Sequence, residues 1–408
     1  MHVVIFEGSR WSTFAPATFT RPGFCLLSGT GTLLDRLLRK SQPTRLTLWV
    51  RPEMVGFCRE RLLPQLSVPT QINTPLDDQP ALLLSGRTME MPNLPTMRDP
   101  AVAMDNHGVS LVHCVSPGLS PRDMTQHTDA WLSLHELPQI NLPMRRANYL
   151  WDLIAGNQQA IVADFKDRTP RPIPPGPHHV IQPDQVWIGD EVKLGPGCVL
   201  DASQGPVVIE ANATIGANAV LIGPCWIGPW AAITAVSLIR PGTSIGPHCK
   251  IGGEVSNSLF IANSNKPHDG FVGDSFIGEW VNFGAGSTTS NLKNTYSNIS
   301  ISIGDKPIPT GRQFMGSLVG DHTKLAIGTR LMTGSYIGCC CMVATSTLPP
   351  TRIPSFTFLT DQGASPYDRD KAREMMSAVY RRRQRQWEPF DEELINYAAA
   401  AAAQIERS

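Results

Sequence analysis

The chain has 408 residues, room for two or three domains, and carries 35 basic and 35 acidic side chains, so its net charge is zero. That balance argues against a nucleic-acid-binding protein, which needs a basic footprint, and no apolar run approaches the length of a membrane span. The nine cysteines lack the paired spacing of a zinc site, Cys339, Cys340 and Cys341 being adjacent, and read as reduced structural thiols.

The N-terminus reads as a strand, His2 to Phe6, broken by Glu7. It has neither the basic start nor the long apolar stretch of a signal peptide, and the expected address is the cytoplasm. Short apolar runs (Val3–Phe6, Leu46–Val50, Ala81–Leu84) alternate with helical patterns (Thr32–Lys40, Pro52–Leu63). Such alternation predicts an α/β, Rossmann-like domain with a largely parallel sheet over residues 1–145. Residues 146–184 follow as a linker, with a connecting helix over 149–165 and a proline-rich stretch over 169–183.

From residue 209 an aliphatic side chain returns at every sixth position: Ile209, Ile215, Leu221, Ile227, Ile233, Ile239, Ile245 and Ile251. Four residues after most of them stands something small, such as Ala213, Ala219, Cys225 or Cys249. Neither a helix nor a lone strand has this period; hexapeptide repeats do, and they wind into a left-handed parallel β-helix. Ile188, Leu194 and Leu200 extend the pattern upstream. Phe271, Ile277 and Phe283, then Val319 to Val343, extend it downstream, giving a β-helix domain over 185–350. The pattern breaks at 253–270 and 288–318, and interruptions in a solenoid usually carry function. Residues 351–408 read as a helical tail whose cluster Arg381, Arg382, Arg383 and Arg385 is most simply a solvated face.

Chemistry concentrates around the breaks. Residues 265–274 read NKPHDGFVGD, and 277–293 read IGEWVNFGAGSTTSNLK. With Arg240-Pro-Gly upstream, this order resembles the acetyltransferase domain of the bifunctional N-acetylglucosamine-1-phosphate uridyltransferase/glucosamine-1-phosphate acetyltransferase family. The whole chain is similar to a divergent bacterial branch of sugar nucleotidyltransferases, through Thr20-Arg21-Pro22, Trp151-Asp152 and the SNK-HDG element. The resemblance implies a nucleotidyltransferase-like N-terminal domain fused to an acetyl-CoA-dependent N-acetyltransferase. It further implies an amino sugar phosphate as acceptor, a nucleotide sugar such as UDP-N-acetylglucosamine as the eventual product, and a homotrimer, because the cofactor groove lies between adjacent prisms.

The resemblance assigns His268 as the general base that frees the acceptor amine, a role suited to a side chain titrating near pH 6.5. It assigns Arg240, Asn282 and Lys293 to the sugar phosphate, and Asn291 and Ala344 to acetyl-CoA. Ser256 and Asn257 replace the family's lysine pair, and Phe271 replaces a tyrosine, which puts the usual acceptor in question.

The N-terminal domain departs further. A phosphate-cradling loop needs glycines so that backbone amides can approach. Here Arg10, Arg21, Gly29 and Gly31 are the weak nucleotide-binding candidates for a nucleoside triphosphate. No aspartate pair for Mg²⁺ can be assigned, Asp105 being a single guess, so Mg²⁺ enters only if this domain is active. No metal site is expected elsewhere. Two other readings compete: a non-catalytic sugar-nucleotide-binding scaffold, and a carbonic-anhydrase-type metalloenzyme using His248, His268 and His322.

Overall fold

The computed structural model describes residues 1–91, 99–105, 108–126, 128–169 and 171–406. Its N-terminal sheet comprises β1 (His2–Phe6), β2 (Arg45–Trp49), β3 (Thr70–Ile72), β4 (Ala81–Ser85), β5 (Ala101–Asp105) and β6 (Gly108–Cys114), in the spatial order β3-β2-β1-β4-β6-β5. Strands β3, β2, β1 and β4 run parallel, and β6 and β5 close the edge antiparallel. Helix α1 (Leu33–Ser41) starts at a capping box in which Thr32 and Asp35 satisfy each other's amides. The expected helix over 52–63 is instead a series of short 3₁₀, α and π turns. The side chain of Asp105 lies outside the described ones.

The repeat winds into three sheets of parallel strands, one of them ending in the antiparallel strand Gly363–Pro366, and forms a left-handed β-helix of triangular section. Among the described residues these faces hold six, nine and ten strands, and are named here by those counts. The eight aliphatics from Ile209 to Ile251 all point inward and are at most 1% exposed. Stacking buries what one turn alone could not. A Cβ added at Gly246 would stand 1.6 Å from the carbonyl oxygen of Ile261 in the next turn, which explains the glycine. Corners lie three residues after the aliphatic, in left-handed backbone: Asn212 (φ 60°), Trp230 (φ 61°), Val236 (φ 59°), His248 (φ 57°) and His322 (φ 62°). Outside asparagine and glycine that conformation is disfavoured, so stacking must hold these corners.

Two expectations about the period are corrected. The stretch 253–270 is a complete turn with strands Glu254–Ser256, Leu259–Phe260 and Asn265–Lys266; its inward residues, Val255, Phe260 and Lys266, simply follow shorter spacings. Downstream, Val272 points inward and Phe271 outward, because strand neighbours alternate faces. The break at 288–318 is a true insertion, carrying a hairpin of Ile299–Ser302 and Pro307–Arg312. The solenoid also runs past residue 350: Arg352–Ile353 and Thr357–Thr360 add strands to the nine- and ten-strand faces.

Helix α2 (Leu150–Phe165) is not an exposed connector. It is buried on several sides, wedged between the N-terminal domain and the prism. The outward side chains of the nine-strand face, among them Val208, Trp226, Leu259, Phe276, Leu318 and Tyr336, form one core with α2, with Phe14, Phe19 and Leu26, and with helices α3 (Arg369–Arg382) and α4 (Pro389–Ile405). One prism face is thus covered. The edge between the ten- and six-strand faces points away from that cover.

Candidate functional site

His268 stands on this far edge. Its side chain is exposed and makes no hydrogen bond with a described residue. Its backbone is held from within. Lys266, 2% exposed, occupies the inward position that the repeat gives to an aliphatic, and its ammonium donates to the carbonyl oxygens of His268 (2.7 Å) and Gly252 (2.9 Å). Burial pushes this lysine down to about 8, against the pull of Asp269. Sequence reasoning assigned Lys266 nothing; the signal was a lysine six residues before Val272, where the register wants an apolar side chain.

From His268 the same turn crosses the outer side of the six-strand face. The ring of Phe271 lies over Gly273, where a Cβ would stand 2.3 Å from it and 2.9 Å from the amide nitrogen of Asn291. Beyond, at the edge shared with the nine-strand face, opens a cavity of about 490 Å³ lined by Arg240, Ser256, Asn257, Asp274, Asn291 and Arg312, among others. Asp274 accepts from the amides of Asn257 (2.6 Å) and Asn291 (2.7 Å). Arg240 gives its Nε to Glu254 at 2.6 Å.

The fold therefore brings Arg240 and Asn291 together and places the other candidates elsewhere. Lys293 stays within the insertion, donating to the carbonyl of Asn298 at 3.3 Å. Asn282 and Ala344 are exposed on the ten-strand face, on the other side of the His268 edge. The histidines do not converge on one edge. His248 and His322 are corners between the nine- and ten-strand faces, stacked on Trp230 (6.2 Å) and Trp280 (6.3 Å).

In the N-terminal domain three nucleotide-binding candidates have partners within the protein. The amide of Gly29 donates to Asn157 (2.7 Å), and that of Thr30 to Asp164 (2.9 Å), so a protein carboxylate already sits where an anion would. Although burial works the other way, Arg36 and Arg39 hold that carboxyl below its usual range. Gly31 pairs with Ser28 in the same small hairpin. Arg21 is buried in an ion cluster with Asp321 and Glu279 of the solenoid. Its neighbourhood is a cleft of about 690 Å³ between the two domains and the C-terminal helices, larger than the cavity at Arg240. The charges there are mostly matched internally, since Arg61 and Arg385 share Asp391.

Arg10 alone of the four lines a cavity at the carboxyl ends of β1 and β4, where the strand order reverses and α/β sheets bind ligands. The carboxylate lining that cavity is Glu7, whose oxygens are taken by Arg51 and the amide of Gly23. The described residues there do not fit Mg²⁺.

The chain thus joins an α/β domain of this topology to a hexapeptide solenoid, with His268 on the edge away from the covered face. Residues 3–171 match the sugar nucleotidyl transferase family. The chain is 36% identical over 137 residues to the bifunctional sugar-1-phosphate nucleotidylyltransferase/acetyltransferase of Sulfurisphaera tokodaii, a match spanning 33% of this chain and 34% of that one. It is 34% identical over 158 residues to the bifunctional protein GlmU of Methanocaldococcus jannaschii, spanning 38% of each. To GlmU of Desulfitobacterium hafniense it is 33% identical over 171 residues, 38% of this chain and 34% of that one. The matches thus span little more than a third of these curated relatives. No helix among the described residues is long and apolar enough to cross a membrane.

Proposed function

We propose that the chain is an acetyl-CoA-dependent N-acetyltransferase acting on an amino sugar phosphate in the cytoplasm, fused to a sugar-1-phosphate nucleotidyltransferase-like domain. One observation carries the reading. A single turn runs from an unpartnered, exposed histidine, across Phe271, to a cavity holding Arg240 and Asn291. That is the order an amine and a phosphate on one sugar ring would need. The name of the Sulfurisphaera tokodaii relative supports it, since it joins nucleotidyl transfer and acetyl transfer in one protein.

When bound, acetyl-CoA supplies the activated acyl carbonyl. His268 takes the proton from the acceptor's ammonium, because only the neutral amine attacks, and such a base contributes about 10²–10⁴-fold. Lys266 fixes the corner from which His268 projects. Arg240 meets the phosphate through the guanidinium nitrogens that Glu254 leaves open. The exposed, small Ala344 on the ten-strand face suits the narrow pantetheine arm of the cofactor, and Asn282, expected at the sugar phosphate, stands on that face too. Asn291, with its amide nitrogen given to Asp274, serves the acceptor side.

Acceptor and cofactor residues thus flank one edge, and a homotrimer would press that edge against a neighbouring prism. Val236 and Ile327, 76% and 77% exposed on the same edge, support such contact. The N-terminal domain enters as a fused module without a metal-dependent step. The test is coenzyme A release with a panel of amino sugars and amino sugar phosphates, comparing wild type with His268→Ala; a wild type inert across the panel would end the reading.

A further inference from the structure

We infer that Arg312 is a second anion ligand of this site, and that Arg312 with Arg240 replaces the cations withdrawn at Ser256 and Asn257, selecting an acceptor that carries a phosphate monoester. The inference rests on the acetyltransferase reading for its reaction, though not for its binding site.

Arg312 ends the second strand of the hairpin in the insertion, a part of the chain to which the sequence assigned no chemistry beyond Asn291 and Lys293. Gly311 before it adopts φ 69°, and the pairing shifts register opposite, between Ile299 and Ser300. Such a bulge turns a side chain out of the ladder's regular alternation. Arg312 lines the same cavity as Arg240, Ser256 and Asn257.

Its guanidinium makes no ion pair or side-chain hydrogen bond with a described residue, and its Nε is buried without a partner. Arg240 pairs through its Nε with Glu254, and its two terminal nitrogens make no hydrogen bond with a described residue. The carboxylate lining the cavity, Asp274, has each oxygen occupied by an asparagine amide and forms no ion pair with Arg312. Holding those amide nitrogens leaves the carbonyl oxygens of Asn257 and Asn291 as acceptors for hydroxyls. Two guanidinium forks with open donors and two amide carbonyls beside them fit a sugar phosphate: forks for the dianion, carbonyls for the ring hydroxyls.

The experiment uses the full chain, with glucosamine 1-phosphate and unphosphorylated glucosamine as probes, by calorimetry and by coenzyme A release. Arg312→Gln is expected to weaken glucosamine 1-phosphate binding about 10- to 100-fold, the loss of a charged hydrogen-bonding pair. KM should rise in parallel with kcat little changed, and glucosamine binding should not move. Ser256→Lys placed in the Arg312→Gln background should restore much of the affinity. Unaltered phosphate binding in Arg312→Gln, at an unchanged melting temperature, would overturn the inference even if the enzyme acetylates. Arg312-dependent phosphate binding without acetyl transfer would uphold it and remove the acetyltransferase reading instead.

Discussion

The ammonium of Lys266, inside the prism, lies 2.7 Å from the carbonyl oxygen of His268 on its surface. A core position of the repeat has been given to a cation whose donors hold the corner bearing the proposed base. Lys266→Met keeps the buried stem and removes the charge. Since the carbonyl oxygens of His268 and Gly252 then lose their donor, the melting temperature at pH 7 should fall modestly. Acetyl transfer should fall about 10- to 100-fold in kcat as the corner loosens, with KM less affected. An unchanged kcat would show that the corner needs no such support.

The same lysine sets a pH dependence. Its folded value of about 8 lies below the ordinary 10.5, so between these limits the unfolded chain binds a proton that the folded one does not. Its contribution to stability therefore rises as pH climbs from about 8 to 10.5 and is flat below 8. Denaturant midpoints at pH 7.5 and 10 should show wild type gaining on Lys266→Met; parallel shifts would refute the assignment.

His268→Ala should lower kcat by about 10²–10⁴-fold. Since the ring is exposed and makes no hydrogen bond with a described residue, circular dichroism and melting temperature should not change. A variant as active as wild type removes His268 from the mechanism.

Arg21 joins the two domains through Asp321 and Glu279, with Thr20 also donating to Asp321. Arg21→Met strands two carboxylates at a buried interface and should cost about 3–5 kcal/mol by urea unfolding. Adding Asp321→Asn, which removes one stranded charge, should recover part of it. Additive losses in the double variant would contradict the coupling.

His322 is buried between Trp280 and Tyr380, and its pKa is held well below 6.5 by desolvation, then by Lys324 and Arg21. As pH falls through 6.5 the unfolded chain takes up a proton that the folded one refuses, so stability is full above 6.5 and lost below it. His322→Asn, tolerant of the left-handed corner, should lose less stability between pH 7.5 and 5 than wild type does. Equal losses would place the titrating group elsewhere.

Much of the fold was legible because a repeat is a local pattern. Each aliphatic from Ile209 to Ile251 reports its own burial, and the six-residue step needs no distant partner. The six-residue period fails where spacing shortens to four or five residues, so it counts Phe271 as inward although that ring lies across the outer face, and it makes the turn at 253–270 read as an interruption. At the candidate site, motif order names His268, Arg240 and Asn291. It does not name Lys266 or Arg312, one disguised in a core position and the other in a hairpin without a repeat.

The sequence alone determined the prism, the α/β module before it, and the corner residues that carry candidate chemistry, since periodicity and local spacing act within a few residues. Only the tertiary structure decided that the nine-strand face is covered, leaving the His268 edge free on the far side. It also decided that the amides of Gly29 and Thr30 go to Asn157 and Asp164 rather than to a phosphate, and that Arg21 serves the domain interface. These are long-range pairings between segments more than a hundred residues apart, whose energy comes from shared burial and charge that no local pattern encodes.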